Sequence, residues 1–200
     1  MRFLWHRQRD LEDSDCIILP GGFAHGDYLR AGAIARFSPI MDAVLAHARR
    51  GNPVVGICNG FQVLTEIGLL PGALLHNLSL RFIHRPVSLR IERHDTRFTR
   101  MYAMEDVIEL PIAHGQGRYY APPPVIAELE NENQVLFRYC SPAGLTDSSW
   151  NPNGSLNGIA GICNREGNVM GMMPHPERRL NPILGGVDGK ALFMSLVESV

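Results

Sequence analysis

Val54-Val55-Gly56-Ile57-Cys58-Asn59-Gly60-Phe61-Gln62 decides the fold. Val54–Ile57 is a short run without a polar side chain, the pattern of a strand buried on both faces of a parallel sheet. Beyond it, Phe61, Val63, Leu64 and Ile67 recur with helical spacing until Gly68 and Pro71-Gly72 stop them. Gly56-x-Cys58-x-Gly60 therefore sits at a strand-to-helix junction, the thiol counterpart of a nucleophile elbow. The two glycines permit a sharp turn that projects Cys58 beyond the sheet. The N-terminus of the following helix is expected to lower the thiol's pKa and favour the thiolate.

The same pattern extends outward. Cys16-Ile17-Ile18-Leu19 is a second apolar run, ending at Pro20-Gly21-Gly22. Ser38 and Pro39 predict a helix start, followed by Ile40, Met41, Val44, Leu45 and Ala48 up to Gly51-Asn52-Pro53. Strand, helix, strand, helix at this spacing predicts an α/β domain with a parallel sheet. Residues 82–91 and 107–112 alternate imperfectly and contain Pro, which predicts exposed or antiparallel strands. Further strands are expected at 134–139, 159–162 and 168–173, and a helix over 190–197.

The 200 residues carry 19 Lys+Arg against 20 Asp+Glu, and all the basic residues except Lys190 are Arg. Near-neutral charge gives no reason to expect nucleic-acid or membrane binding, and no apolar run is long enough to span a bilayer. The start, Met1 to Arg7, turns polar too soon for a signal peptide, so a cytoplasmic protein is expected. Lys190 lies in neither a phosphate-loop nor a Schiff-base context, which argues against ATP chemistry of the P-loop kind in this chain. The four cysteines have neither C-x-x-C nor zinc spacing, and reduced thiols with no metal site are expected. Residues 81–100 hold six Arg against Glu92 and Asp95. A solvated sheet edge is the plain reading of that run, and a docking face for an acidic partner is the alternative.

A nucleophile needs a base and an oxyanion site. His175 and Glu177, in Met173-Pro174-His175-Pro176-Glu177-Arg178, lie two residues apart. In an extended segment that spacing puts both on one face, so that His175 moves the thiol proton while Glu177 orients the imidazole. Gly22, at the end of a parallel strand, and Asn59, just after the nucleophile, are positioned to offer backbone N–H donors to an oxyanion.

These residues resemble the class I (triad) glutamine amidotransferases. Gly56-Ile57-Cys58-Asn59-Gly60-Phe61-Gln62 and His175-Pro176-Glu177 mark that superfamily. Gly21 to Ala35, Asn59 and Phe61 make the chain most similar to the glutaminase subunits of phosphoribosylformylglycinamidine synthase, and Pro111 to Gly117 and Asn164 to Asn168 extend the likeness. The resemblance implies a flavodoxin-like, open, mostly parallel sheet with flanking helices and a small antiparallel section. It implies catalysis by Cys58, His175 and Glu177 through a glutamyl thioester, an oxyanion hole at Gly22 and Asn59, and substrate-binding positions at Gln62, His114 and Gly115. It also implies ammonia delivery to an ATP-dependent synthetase, joined by a small bridging subunit, that converts formylglycinamide ribonucleotide to formylglycinamidine ribonucleotide in purine biosynthesis. ATP and Mg belong to that partner, and this chain needs no cofactor.

Two departures stand out. Gln116 occupies a position where the resemblance implies Glu. Phe3-Leu4-Trp5-His6 matches a second strand, so residues 1–200 read as one amidotransferase domain shortened by about one strand and one helix, less stable than a chain extended upstream. A non-catalytic or truncated amidotransferase-like binding module and another α/β cysteine hydrolase, peptidase-like or glyoxalase-like, are the alternatives.

Overall fold

The computed structural model describes residues 1–199. In chain order the strands are β1 (Ile17–Leu19), β2 (Val54–Ile57), β3 (Ala73–Leu75), β4 (Ile83–Ile91), β5 (Val107–His114), β6 (Arg118–Tyr120), β7 (Val135–Cys140), β8 (Ile159–Cys163) and β9 (Val169–Met172). The helices are α1 (Ile40–Arg49), α2 (Asn59–Glu66), α3 (Pro123–Asn131) and α4 (Lys190–Val197). Seven strands form one sheet in the order β1-β2-β9-β8-β7-β4-β5, and β3 pairs with β6 in a two-stranded ribbon.

The α/β architecture agrees with the sequence reading. β1, β2 and β9 run parallel, and β8, β7, β4 and β5 continue the sheet as antiparallel neighbours. All four residues of β2 and of β9 are buried, as continuous apolar runs in the middle of a covered sheet require. The three parallel strands end side by side, at Leu19, Ile57 and Met172. Their carboxyl edge therefore delivers Gly21-Gly22, Cys58 and His175 to one place, which is where open α/β sheets bind ligands. The sheet also curls, so that its far strand β5 returns to this edge. Pro111 O accepts the His175 N–H at 2.9 Å, and Ala113 O accepts from the Cys58 thiol at 3.8 Å.

Close backbone approach dictates the glycines of the elbow. A Cβ at Gly60 would lie 2.0 Å from Leu19 O, and one at Gly56 would lie 2.7 Å from the Gly60 carbonyl carbon. These contacts let α2 sit directly on β1 and β2, with Phe61 and Leu64 fully buried beneath it.

Several local expectations need correction. Phe3–His6 forms no strand. Among the described residues β1 is the sheet's edge and pairs only with β2, so residues 3–6 have no strand to join; His6 O instead accepts from Ile40 N at 3.2 Å, and Phe3 and Trp5 stay exposed. Instead Gln8 N donates to Trp5 O in a turn. Ser38 does not cap α1 with its side chain; its hydroxyl pairs with His6 Nδ1 at 3.2 Å, and Pro39 takes the N-cap place. The Arg-rich segment is neutralised only in part: Arg90 pairs with Glu92 and Arg93 with Asp95, each at 2.7 Å, which accounts for two of its six arginines. Arg81 and Arg85 remain exposed beside Phe82. No helix of the described residues is long and apolar enough to cross a membrane.

Gly60→Ala forces its methyl group into a carbonyl that belongs to a sheet strand and cannot rotate away. The expected cost is about 3 kcal/mol, read as a lowered denaturant midpoint with an unchanged slope; an unchanged midpoint would show that α2 is free to lift from β1.

Candidate active site

Cys58 occupies the single residue between β2 and α2, with φ 52° and ψ −105°. A non-glycine residue pays of order 1–3 kcal/mol to hold such a backbone, and surrounding packing has to enforce it. Here Cys58 N donates to Met172 O at 2.8 Å, and the flanking glycine contacts fix the entry to α2. The side chain is buried, and its Sγ points toward Ala113 O and the N–H of Asn59.

His175 follows β9 and is 2 % exposed. Its Nδ1 is 2.6 Å from Glu177 Oε1, and its Nε2 is buried without a hydrogen-bond partner. A point one bond from the Gly21 α-carbon is 2.7 Å from His175 Cε1 and 3.5 Å from Cys58 Cβ, so the imidazole and the base of the Cys58 side chain converge on Gly21. Any side chain there would separate or displace them. The His175–Glu177 segment is not extended as the sequence reading assumed: Pro176–Arg178 is a 3₁₀ turn. The fixed φ of Pro176 suits the first position of a helical turn, and that turn folds Glu177 back onto Nδ1.

The thiol is also not a thiolate in the free protein. Burial pushes the Cys58 thiol up to about 12, and the nearby Glu177 and Asp27 carboxylates push the same way. The Asn59 N–H at the start of α2 does lower it, as expected, and so does the Arg178 cation, but both are outweighed by the loss of water around the sulfur. Deprotonation therefore has to be coupled to proton transfer onto His175 Nε2 when substrate arrives.

A cavity of about 280 Å³ opens in front of Cys58, lined among others by Gly22, Gln62, Phe82, His114 and Gly115. Gly22 has φ 154° and its N–H makes no hydrogen bond among the described residues. The Asn59 side chain ties this wall together: Oδ1 accepts from Ala24 N at 3.1 Å, and Nδ2 donates to Gln62 Oε1 at 2.8 Å. Gln62 Nε2 in turn donates to Gln116 O at 2.5 Å, and Gln116 Oε1 accepts from Ala31 N at 3.3 Å. Gln62 thus borders the cavity with its amide committed to the protein, so it shapes the pocket through its neighbours.

Two asparagines, Asn77 and Asn153, brace this side of the pocket. Both are buried. Asn77 Nδ2 donates to Arg81 O at 2.8 Å and to His114 O at 2.9 Å, which leaves Oδ1 facing His114 Nδ1 at 3.1 Å and Gly117 N at 3.2 Å. Since Oδ1 can only accept, Nδ1 carries the proton of His114 and Nε2 keeps its lone pair. Burial pushes His114 down to about 4, with His175 adding to the effect, so this wall of the pocket is uncharged at neutral pH. Asn153 Nδ2 holds Gly117 O at 2.8 Å from the other side. Nothing in the local spacing of a lone Asn announces such a clamp.

In the free protein, alkylation of Cys58 by a small neutral electrophile is expected to rise with pH without levelling below about pH 10, because the protonated thiol dominates throughout that range. A rate that levels near pH 7 would contradict the buried-thiol account. Glu177→Ala should lower the turnover of a substrate bound at Cys58 on the order of 10²-fold through misorientation of His175, with a smaller change in KM. Equal turnover in the variant would remove Glu177 from the machinery.

Comparison with known proteins identifies the family. Residues 1–185 match the CobB/CobQ-like glutamine amidotransferase domain. The phosphoribosylformylglycinamidine synthase subunit PurQ of Gloeobacter violaceus is 60% identical over 198 residues, which is 99% of this chain and 85% of that protein. Its counterpart from Thermus thermophilus is 57% identical over 199 residues, covering 99% and 86%. The structure of PurLQS from Thermotoga maritima superposes with a TM-score of 0.83 at 45% identity, over 94% of this chain and 81% of that one. The chain belongs to the CobB/CobQ-like glutamine amidotransferases and, within them, to the PurQ subunits of phosphoribosylformylglycinamidine synthase.

Proposed function

We propose that this chain is a glutaminase that hydrolyses L-glutamine to glutamate and ammonia through a thioester on Cys58, and that it supplies the ammonia to a synthetase partner. The observation that supports this most is the convergence of a strained, buried cysteine and a carboxylate-paired histidine on Gly21, at the mouth of an amino-acid-sized cavity.

The steps follow from the positions of the atoms. His175 Nε2, the unpartnered nitrogen, takes the Sγ proton as sulfur attacks the side-chain amide carbon of glutamine. The carbonyl oxygen becomes an oxyanion and accepts from the Gly22 N–H and from the Asn59 N–H, which faces the sulfur in the free protein. His175 then returns the proton to the amide nitrogen, the C–N bond breaks, and ammonia leaves. Water, deprotonated by His175, attacks the thioester and regenerates the thiol with release of glutamate. Glu177 holds the imidazole and stabilises its cationic form at each stage. The neutral wall at His114, with the backbone at Gly115, binds the substrate's far end.

Relatives bear the name of a phosphoribosylformylglycinamidine synthase subunit, and the matched solved complex contains PurL and PurS beside PurQ. By the same reading, this chain's ammonia amidates formylglycinamide ribonucleotide on a synthetase that holds ATP and Mg, with a small bridging subunit, in the cytoplasm. The surface around the cavity suits such docking. Phe23 and Phe82, 6.4 Å apart between ring centres, stand exposed at its mouth, and Tyr28, Leu29, Leu78 and Leu80 are exposed on the adjoining loops. Exposed aromatic side chains at the mouth of a cavity suit contact with a partner.

The test is ammonia release from glutamine by the chain mixed with synthetase and bridging subunit. Cys58→Ala is expected to abolish it while ammonia-dependent synthesis by the partner continues. Residual glutamine hydrolysis in that variant would refute the thioester route.

A further inference from the structure

Free glutamine carries an ammonium and a carboxylate on the carbon farthest from the scissile amide, and a site that bound only the carboxamide would accept any primary amide of similar width. The electrostatics of the cavity bear on how it tells them apart. Asp27 is the one carboxylate among the lining residues. His114, the one lining imidazole, is held neutral. No cation of the described residues pairs with Asp27: Arg30, three residues on, is turned away into a two-pronged pair with Glu66 at 2.5 and 2.7 Å. Burial raises the Asp27 pKa, and only the Asn59 amide, a long contact at 3.4 Å from Oδ1, and the Gly32 N–H oppose it, so the carboxylate keeps acceptor capacity for a cation. Its charge reaches the reactive end of the cavity, since it acts on the Cys58 thiol.

We infer that Asp27 binds the α-ammonium group of glutamine and so makes the site selective for free amino acids. This inference rests on the glutaminase reading above. An ammonium entering a half-buried, otherwise uncharged cavity loses hydration, and Asp27 is the group that compensates it. The converse gives the selectivity. A carboxamide that lacks the ammonium leaves Asp27 desolvated and unpaired, so the pocket rejects it more strongly than lost contact alone would. The backbone N–H groups of Gly115 and Gln116 make no hydrogen bond among the described residues and remain for the α-carboxylate. The position of Asp27 is itself set by the fold: it closes the turn Ala24–Asp27 with φ 52°, a conformation that Asp and Asn tolerate better than other side chains. Its neighbour in that turn, Ala24, is anchored to the elbow by Asn59.

Asp27→Asn removes the charge and keeps both the shape and the turn preference. The experiment measures ammonia release by the assembled complex from glutamine and from glutaramate, the same carboxamide without the α-amino group. In Asp27→Asn, KM for glutamine should rise roughly 10- to 100-fold with kcat changed less than about threefold. Glutaramate turnover should be unchanged or improved, so that the preference for glutamine, on the order of 10²-fold in the parent, falls to a few fold. Asp27→Glu, which keeps the charge, should retain most of the preference. A variant that loses activity toward both substrates by the same factor, or keeps the full preference, overturns the inference. Failure of the glutaminase reading is distinguishable, because the parent chain would then release no ammonia from glutamine at all.

Discussion

The backbone at Cys58 is the constraint on which the rest of the site depends. A left-handed residue between a buried strand and a helix is tolerated only if the helix is pressed onto the sheet, and Gly60 against Leu19 O and Gly56 against Gly60 are what allow that approach. Once α2 is seated, its first N–H faces the sulfur, Asn59 reaches across to Ala24 and Gln62, and the wall of the cavity is assembled from a single helix end. The neighbouring strands complete the set. β1 ends at the glycines that leave room for an imidazole, and β9 ends at the imidazole itself.

Burial then decides how the chemistry must run. The same packing that enforces the elbow removes water from the thiol, and it does so more effectively than a helix terminus can compensate. A thiol held protonated is protected from adventitious electrophiles and becomes nucleophilic only when a proton acceptor is in line. His175, with one nitrogen fixed to Glu177 and the other unpartnered, is built to be that acceptor. His114 shows the opposite use of burial, kept neutral and fixed in tautomer by Asn77.

The parts legible in the sequence were those encoded locally. An apolar run ending in G-x-C-x-G specifies a strand-turn-helix with little help from the rest of the chain, and Pro on both sides of His175 constrains that segment wherever it lies. The parts that were not legible are non-local. β3 and β6 are three residues each and gain meaning only by pairing across forty residues of chain. The start of α3 is masked by Pro122-Pro123-Pro124, which reads as loop although Pro at the first helical turn is favourable. The curl that brings β5 back to Cys58, the clamp at Asn77 and the pKa of the thiol depend on what surrounds each residue in space. Gln62 illustrates the limit from the other side: its identity was legible, but its amide's engagement with Asn59 and Gln116 was not.

The central claim is that the carbon of glutamine's side-chain amide becomes bonded to Cys58. Acid quenching of the complex during steady turnover of glutamine, followed by peptide mass spectrometry, tests it directly. The account predicts a glutamyl group on the peptide that contains Cys58, discharged by hydroxylamine and absent when glutamate replaces glutamine. Ammonia release with Cys58 unmodified at every quench time, or a glutamyl group on another residue, would contradict it.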